Sequence, residues 1–461
     1  MSKKAPAVFL LCLVVRLHGQ DPLLENYIEE GLKNNLALRQ KEFSFRRSMA
    51  ALNEARGMFL PSVGIEARYT RAGGGRIIDI PIGDLMNPVY GTLNTILGAF
   101  GQPHPFPTDL PNEHIPFLRE HEQETKVRVV QPVFQPVLWY NAKIRRALSD
   151  IESLARDAYA RQLAAEIQTA YYNVLKTERV AALLRQTGIL VKEHVRVTES
   201  LFNNGKASQA AVFRARAEVP VLAQEQAGAE KNRALAAAYF NFLLNRPLDA
   251  KVETEFPGAP QVSWTGAEAE SLAVSQREEL KQLRRAVDLM GSKVGLSAAS
   301  MLPGLAAVVD WGFWDEEYRF TRQTDYWTAS VVATWNLFNG FQDKSKIDQA
   351  KLERREKQAE LESVETQIRL QAKEAFASLN VAHLSAQAAM ERLSAARKFF
   401  DLTEKKYREG MAPQIELIDA RNTLTQAEVN EAVCKVDVFI RVAELEKAMA
   451  VRPIRTLKKG G

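Results

Sequence analysis

The sequence has almost no cysteine and, beyond its first residues, no long apolar segment. Its two cysteines, Cys12 and Cys434, lie near opposite ends of the chain and do not form a disulfide framework. No apolar run after residue 15 approaches the roughly 18 residues that a membrane-spanning helix needs. Gly73-Gly74-Gly75 lacks the lysine of a phosphate-binding loop, and neither paired cysteines nor a metalloprotease histidine pair occurs. We therefore expect no enzymatic activity and no cofactor.

Charge, in contrast, is abundant and evenly mixed. The chain of 461 residues has 61 Lys and Arg against 56 Asp and Glu, and both signs alternate along its length. A nucleic-acid surface would need basic residues clustered on one face. The charge pattern instead predicts solvated helix faces and no nucleic-acid partner, and 46% hydrophobic residues are enough for a large folded core.

The first residues have the order of a secretory signal peptide. Lys3 and Lys4 precede an apolar stretch, residues 5–15, and Gly19 provides a small residue before a cut at Gln20. The alternative is a buried N-terminal segment. Because Cys12 is not accompanied by small residues, a lipid anchor is not favoured, and we expect an exported chain that begins at residue 20.

One unit occurs twice in the sequence. Three anchors recur in the same order and with similar spacing, which is hard to obtain by chance. The anchors are Leu60-Pro61 and Leu302-Pro303, residues 127–134 (VRVVQPVF) and 331–338 (VVATWNLF), and residues 202–216 and 407–421, in which Gly205 aligns with Gly410. We divide the chain into a signal peptide (1–19), a first repeat (20–245), a linker or equatorial region (246–275), a second repeat (276–450) and a tail (451–461).

Each repeat contains two candidate strands. Apolar and polar residues alternate over 63–70 and again over 327–335, as in a strand with one exposed face, and 126–133 and 305–313 are weaker candidates. Four antiparallel strands cannot close a barrel around a pore, so one chain leaves open sheet edges. We interpret 70–124 and 310–325 as loops rich in proline, glycine and polar residues.

Two sets of residues in this region have alternative interpretations. His104, His114 and His121 fit solvated loop histidines better than a shared metal site, because their spacing is irregular. The tryptophans of the candidate strands fit an aromatic girdle at a membrane interface better than a platform for sugars or bases. These tryptophans are Trp311, Trp314, Trp327 and Trp335.

The helical parts are unusually long. Residues 137–203 contain no proline and one glycine, and residues 343–409 contain neither. Apolar residues, mostly alanine, recur every three or four positions from Val364 to Phe400. Some 67 residues would extend about 100 Å as a helix, which is typical of a coiled coil. Gly205 and Gly410 predict turns after these helices, and shorter helices return over 207–245 and 413–450.

This order of elements resembles the TolC outer-membrane efflux family over nearly the whole exported chain. The resemblance rests on Leu302-Pro303, residues 337–340 (LFNG), and the turn 407–410 (YREG) followed by 415–420 (IELIDA), all duplicated in register. It implies a mainly α fold with a β-barrel part. Three chains would each give four strands to one 12-stranded outer-membrane β-barrel, continued by a periplasmic α-helical coiled-coil tunnel.

The resemblance also implies roles for single residues. Glu416 and Asp419 would line a periplasmic constriction, and the alternative is a pair of ordinary solvated carboxylates near a helix start. Tyr407 matches the tyrosine of the family's closing lock. The lock's acidic and arginine partners fall at Ala211 and Ala412, so we expect this gate to be held differently.

By the same resemblance, the chain acts as a passive duct. Gly205 and Gly410 would mark the hairpin turns that meet a periplasmic adaptor (membrane fusion) protein, which joins the homotrimer to an inner-membrane pump. Outer-membrane lipid would surround the strands, and the pump, a different chain, would choose the substrate of efflux or type I secretion. The alternative is a periplasmic coiled-coil adaptor or scaffold without a pore.

Overall fold

A computed structural model describes residues 22–258 and 263–453. The predicted signal peptide and residues 454–461 of the tail lie outside the described residues. Within the described ranges, no helix is both long and apolar enough to cross a membrane. The elements are α1 (Pro22–Asn34), α2 (Leu36–Gly57), β1 (Ser62–Arg71), β2 (Ile77–Ile80), α3 (Ile82–Ala99), β3 (Glu113–Pro116), β4 (His121–Phe134), α4 (Pro136–Asn203), α5 (Gln209–Leu244), α6 (Gly266–Gln276), α7 (Glu278–Ala299), β5 (Gly304–Asp315), β6 (Asp325–Thr334), α8 (Gln342–Arg408) and α9 (Gln414–Met449).

The two long helices and their shorter return helices are confirmed. Helices α4 and α8 have 68 and 67 residues, and α5 and α9 have 36 each. Along α8, every residue of the alanine-rich stripe from Val364 to Phe400 is buried or half-buried, whereas most residues between them are exposed. Small side chains on this stripe allow the neighbouring helices to approach closely, as the spacing predicts.

Both repeats begin with a broken helix pair. Asn35 separates α1 from α2, and its side-chain oxygen accepts hydrogen bonds from the N–H groups of Ala37 at 3.0 Å and Leu38 at 3.1 Å. The pair that precedes the strands of the second repeat is α6 and α7, and Thr265 and Glu268 form a capping box that starts α6. Helix α6 therefore occupies the last part of the segment interpreted as a linker.

The four predicted strands form one antiparallel sheet with the order β1-β4-β5-β6. Residues 126–133 and 305–313, the weaker candidates, are its two central strands. Strand β6 ends at Thr334, one residue before the predicted end, and strand β5 continues to Asp315, into the segment predicted as a loop. Strands β1 and β6 are the sheet edges in a single chain.

The segment between β1 and β4 is not an irregular loop, contrary to the prediction. It contains helix α3 and a two-stranded sheet of β2 and β3. Two asparagines hold α3 to the segment that follows it. The Asn87 side chain donates to the backbone carbonyl of Leu110 and accepts from its N–H. The Asn94 side chain makes the same two bonds with the backbone of Phe106. These bonds give the segment an order that its proline and glycine content obscures.

The described chain divides into two compact units, and each takes residues from both repeats. One unit comprises the described residues up to Leu52, Lys143–Ser292 and the residues from Gln349 onward. Its core brings together α1, α4, α5 and α9, with the Tyr27 and Phe240 rings edge-to-face at 5.0 Å. The other unit comprises Asn53–Ala142 and Lys293–Asp348 and contains both sheets and α3.

Candidate functional site

The four-stranded sheet has one apolar face and one charged face. The register aligns Ile65, Val127, Trp311 and Trp327 in a single row across all four strands. The next row on this face contains only Val and Ala residues, namely Val63, Val129, Val309 and Ala329. Trp327 and Ile65 expose 73% and 77% of their surface in the single chain. An apolar face of this size is costly in water and suits contact with lipid.

The opposite face carries ion pairs between strands. Arg128 donates two hydrogen bonds to Asp310, both 2.8 Å long, and its third nitrogen lies 3.3 Å from the carboxylate of Glu66. Lys126 lies 2.8 Å from Glu124 on the same strand. These pairs link β1, β4 and β5 through charge-assisted hydrogen bonds. A charged face backed by an apolar face is what a sheet between water and lipid requires.

Two of the four tryptophans, Trp311 and Trp327, lie on the apolar face of the sheet as the girdle prediction requires, whereas Trp314 is in register with Glu124 on the charged face. Trp311 and Trp327 are directly opposite each other on β5 and β6. Trp314 lies near the end of β5, and Trp335 follows β6 and donates its indole N–H to the carbonyl of Met301 at 2.9 Å. All four are more than half exposed in the single chain. Their membrane-interface role remains a prediction.

The two hairpin turns have the same backbone geometry. Gly205 and Gly410 have φ angles of 69° and 74°, in the left-handed region that glycine adopts without strain. The residue after each glycine, Lys206 or Met411, donates its N–H five residues back at 2.8 Å. This is the Schellman pattern that ends a helix. The turns predicted from the two glycines are thus confirmed, and their contact with an adaptor remains a prediction.

Glu416 and Asp419 lie on the same side of the start of α9. Asp419 is exposed and Glu416 is half-buried. Their neighbours on α9 are buried, namely Leu417, Ile418 and Arg421. Within the described chain, neither carboxylate has a hydrogen bond or an ion pair. Both carboxylates are therefore available to interact with ions or with another subunit.

Tyr407 lies at the end of α8 against the first hairpin. Its ring centroid is 6.3 Å from that of His194, and burial raises the pKa of its hydroxyl. Among the described residues this hydroxyl has no hydrogen-bond partner. Ala211 and Ala412 provide no side chain that could complete the expected lock, although the Ala211 carbonyl accepts a hydrogen bond from the side chain of Gln414 at 3.2 Å.

A half-buried polar cluster next to Tyr407 was not predicted. The Gln414 amide nitrogen lies 3.2 Å from Nε2 of His194, and Arg421 donates to the carboxylate of Glu218 at 2.8 Å. Burial lowers the pKa of His194, and the positive charge of Arg421 lowers it further. We name His194, Glu218, Gln414 and Arg421 the hairpin cluster, because its bonds join α9 to both helices of the first hairpin.

The repeat contained a partial signal for this cluster. Arg216 and Arg421 occupy the same position in the repeated motif, yet Arg216 is exposed and pairs with Glu199 within its own hairpin. Arg421 retains 7% exposure. The sequence shows the shared position but not the different burial, because burial depends on the packing of a second hairpin.

Two of the loop histidines, His114 and His121, contact neighbouring side chains. His114 pairs with Asp79 at 2.6 Å, and His121 lies 2.9 Å from the hydroxyl of Tyr69. Within residues 22–258 and 263–453, no group of three or more His, Cys, Asp or Glu residues is arranged to hold a metal ion.

Solved structures share this fold over nearly the whole chain. The outer-membrane channel OprN has 16% identity and a TM-score of 0.76, with 93% of this chain and 90% of that chain covered. The CmeC outer membrane channel of Campylobacter jejuni has 13% identity and a TM-score of 0.75, with 93% and 86% covered. The open state of the MtrE outer membrane channel of Neisseria gonorrhoeae has 17% identity and a TM-score of 0.74, with 93% and 89% covered.

Identities this low establish a shared fold and not a shared substrate. No curated protein matches the chain in sequence. The family model described as outer membrane efflux protein matches residues 270–451, which include α8, both hairpin-turn residues Tyr407 and Gly410, and the acidic pair of α9. Over residues 270–451 the chain is therefore similar to outer membrane efflux proteins, and over nearly its whole length it has the TolC-like fold of outer-membrane channels.

Proposed function

We propose that the chain is one subunit of an outer-membrane channel that serves as a passive exit duct in a tripartite efflux or type I secretion system. The observation that carries this proposal is the sheet with one apolar and one charged face, in a chain with the fold of outer-membrane channels. An adaptor or scaffold without a pore would have no use for such a sheet. Transport through a duct of this kind involves no reaction.

The channel is a homotrimer. Strands β1 and β6 each leave one edge unpaired in the single chain, and such edges associate readily. Three copies that pair β6 of one chain with β1 of the next would close a 12-stranded barrel, with the charged face inward and the apolar face toward lipid. This arrangement satisfies the backbone groups of both edges.

The channel opens toward an inner-membrane pump through a periplasmic adaptor. The matched turns at Gly205 and Gly410 present two similar helix ends, whose shared backbone geometry suits contact with a repeated partner surface. The pump supplies the energy and selects the substrate.

Glu416 and Asp419 form the constriction of this channel. In a trimer, two carboxylates on one side of α9 would give two adjacent rings of three negative charges. Rings of acidic side chains attract cations and raise their local concentration in a pore. Neither carboxylate has a partner among the described residues, and this supports the role.

Single-channel conductance in planar bilayers tests the proposal. We expect the purified trimer to conduct with a preference for cations, and Glu416→Gln with Asp419→Asn to reduce that preference and weaken block by divalent cations. Asp401→Asn, at an exposed position on α8, is a control that removes one negative charge away from the proposed constriction. A protein that is monomeric and never conducts would contradict the channel and favour the scaffold. A conducting protein whose ion preference is unchanged by both substitutions would contradict only the constriction role of Glu416 and Asp419.

A further inference from the structure

We propose that His194 is a positioning residue that holds the start of α9 against the first hairpin only while its imidazole is neutral, so that acidification releases the helix segment carrying Glu416 and Asp419. This inference rests on the proposed channel function, because it concerns how the same constriction is regulated. Its basis is the hydrogen-bond geometry of the hairpin cluster.

The orientation of the Gln414 amide is fixed by the backbone. The Gln414 side-chain nitrogen lies 3.2 Å from the carbonyl oxygen of Ala211, and a carbonyl can only accept. The same nitrogen lies 3.2 Å from Nε2 of His194. An amide nitrogen carries two hydrogens, so it can donate to both acceptors at once. Turning the amide over would place its oxygen against the Ala211 carbonyl.

This geometry requires a neutral histidine. Nε2 of His194 can accept from Gln414 only if it carries no proton, which places the proton of the imidazole on Nδ1. Protonation of Nε2 would direct one N–H group against another. The hydrogen bond between α4 and α9 is therefore available to one protonation state alone.

The charges around His194 also disfavour protonation of its imidazole. The titratable groups that face His194 are Arg421 of α9, Glu218 of α5 and Tyr407 of α8. A protonated imidazole would bring a second positive charge beside Arg421, with only the Glu218 carboxylate to balance both. Burial lowers the pKa of His194 most, the positive charge of Arg421 lowers it further, and Glu218 opposes them. The packed arrangement thus favours the neutral imidazole.

The lowered pKa of His194 determines how the contact between His194 and Gln414 depends on pH. Because the pKa of His194 is lower in the packed state than its ordinary value of about 6.5, the released state binds the extra proton more tightly. The contact is intact above about pH 6.5 and weakens as the pH falls below that value.

Release would be confined to the beginning of α9. Further along this helix, Asp437 pairs with Lys176 of α4 at 3.0 Å, and Val429 packs against the apolar cluster between α4 and α5. Neither contact involves His194. Acidification therefore loosens the first turns of α9, where Glu416 and Asp419 lie, while the rest of the helix stays packed.

The first experiment measures channel opening against pH. For the wild-type trimer in planar bilayers, we expect open probability to rise severalfold between pH 7.5 and pH 5.5. His194→Gln has no titrating group and should remove most of this rise, whereas His194→Lys should open the channel at both pH values. His383→Gln, at an exposed position on α8, should respond as the wild type does.

The second experiment measures hydrogen exchange of the full-length trimer. At pH 5.5 the amides of residues 414–421 should exchange faster in the wild type than in His194→Gln at the same pH, whereas residues 430–440 should not differ. Three results would overturn the inference and leave the channel intact: a wild-type channel without a pH response, a pH response retained in His194→Gln, or equal exchange of residues 414–421 in the wild type and His194→Gln at pH 5.5. Absence of conductance from every variant would contradict the channel itself, and the exchange measurement would still decide whether His194 holds α9.

Discussion

Single residues show how the hairpins depend on backbone conformation. Gly410 has a φ of 74° with no atom near the position of a Cβ, so an added methyl group would cost only backbone strain. We expect Gly410→Ala to lower the free energy of unfolding by about 1 kcal/mol, because L-residues disfavour left-handed φ. Gly410→Asn should lose less, since asparagine tolerates this region.

Gly228 provides a control at which substitution to alanine should change the stability in the opposite direction. It lies inside α5 with helical φ and equally open space around its Cβ position. Gly228→Ala should therefore raise the stability by up to about 1 kcal/mol through helix propensity. Thermal unfolding of the three variants beside the wild type measures both effects. A Gly410→Ala variant as stable as the wild type would show that the turn can adopt another backbone conformation.

The roles of single residues could be predicted from the sequence where the local chain alone determines their position. Gly205 and Gly410 end uninterrupted helices, and the spacing of Glu416 and Asp419 places them on one side of α9. The hairpin cluster was not predicted, because His194 and Gln414 are 220 residues apart and contact only after the hairpins pack. A lone histidine within a charged helix gives no signal of such a partner.

Helix α3 shows how an element can be hidden in the sequence. Its exposed apolar residues have helical spacing. The segment was interpreted as a loop because Pro88 and three glycines lie among these apolar residues. The polar side of α3 faces the rest of the protein and the apolar side faces outward, the reverse of an ordinary surface helix. The apolar stripe comprises Ile82, Leu85, Val89, Leu93, Ile96 and, just after the helix, Phe100. The long hairpins and four strands, with ordinary periodicity, were predicted correctly.

The order of this segment should depend on the asparagines of α3. Asn94 is buried, donates to the carbonyl of Phe106 at 2.7 Å and accepts from its N–H at 3.2 Å. Asn94→Ala leaves both backbone groups without a partner, at a cost of about 1–3 kcal/mol each where they stay buried. We expect faster proteolytic cleavage within residues 101–112. Thr92→Ala, on the exposed side of the same helix, should leave the cleavage rate unchanged; equal rates for both variants would contradict the role of Asn94.

For the whole molecule, the second apolar stripe of α8 indicates what a single chain leaves uncovered. Besides the alanine-rich stripe that packs within the subunit, α8 carries large apolar residues on its opposite side, and all of them are exposed. They are Leu352, Leu370, Val381, Leu384, Phe399 and Leu402. A helix with two apolar stripes has a partner on each side, and in the proposed trimer the second partner is a neighbouring subunit.

Charge on this second stripe should therefore prevent assembly without unfolding the subunit. Each leucine buried between subunits contributes about 1.5–3 kcal/mol, and each position occurs three times in a trimer. Leu384→Glu with Leu402→Glu removes that contribution and places carboxylates in an apolar contact, where they are strongly disfavoured. We expect light scattering in detergent to change from trimer to monomer, while circular dichroism keeps its helical signal. His383→Glu, exposed but on another side of α8, should remain trimeric. A trimeric double variant would show that the second stripe faces something other than a neighbouring subunit. A loss of helical signal would show instead that the stripe stabilises the subunit itself.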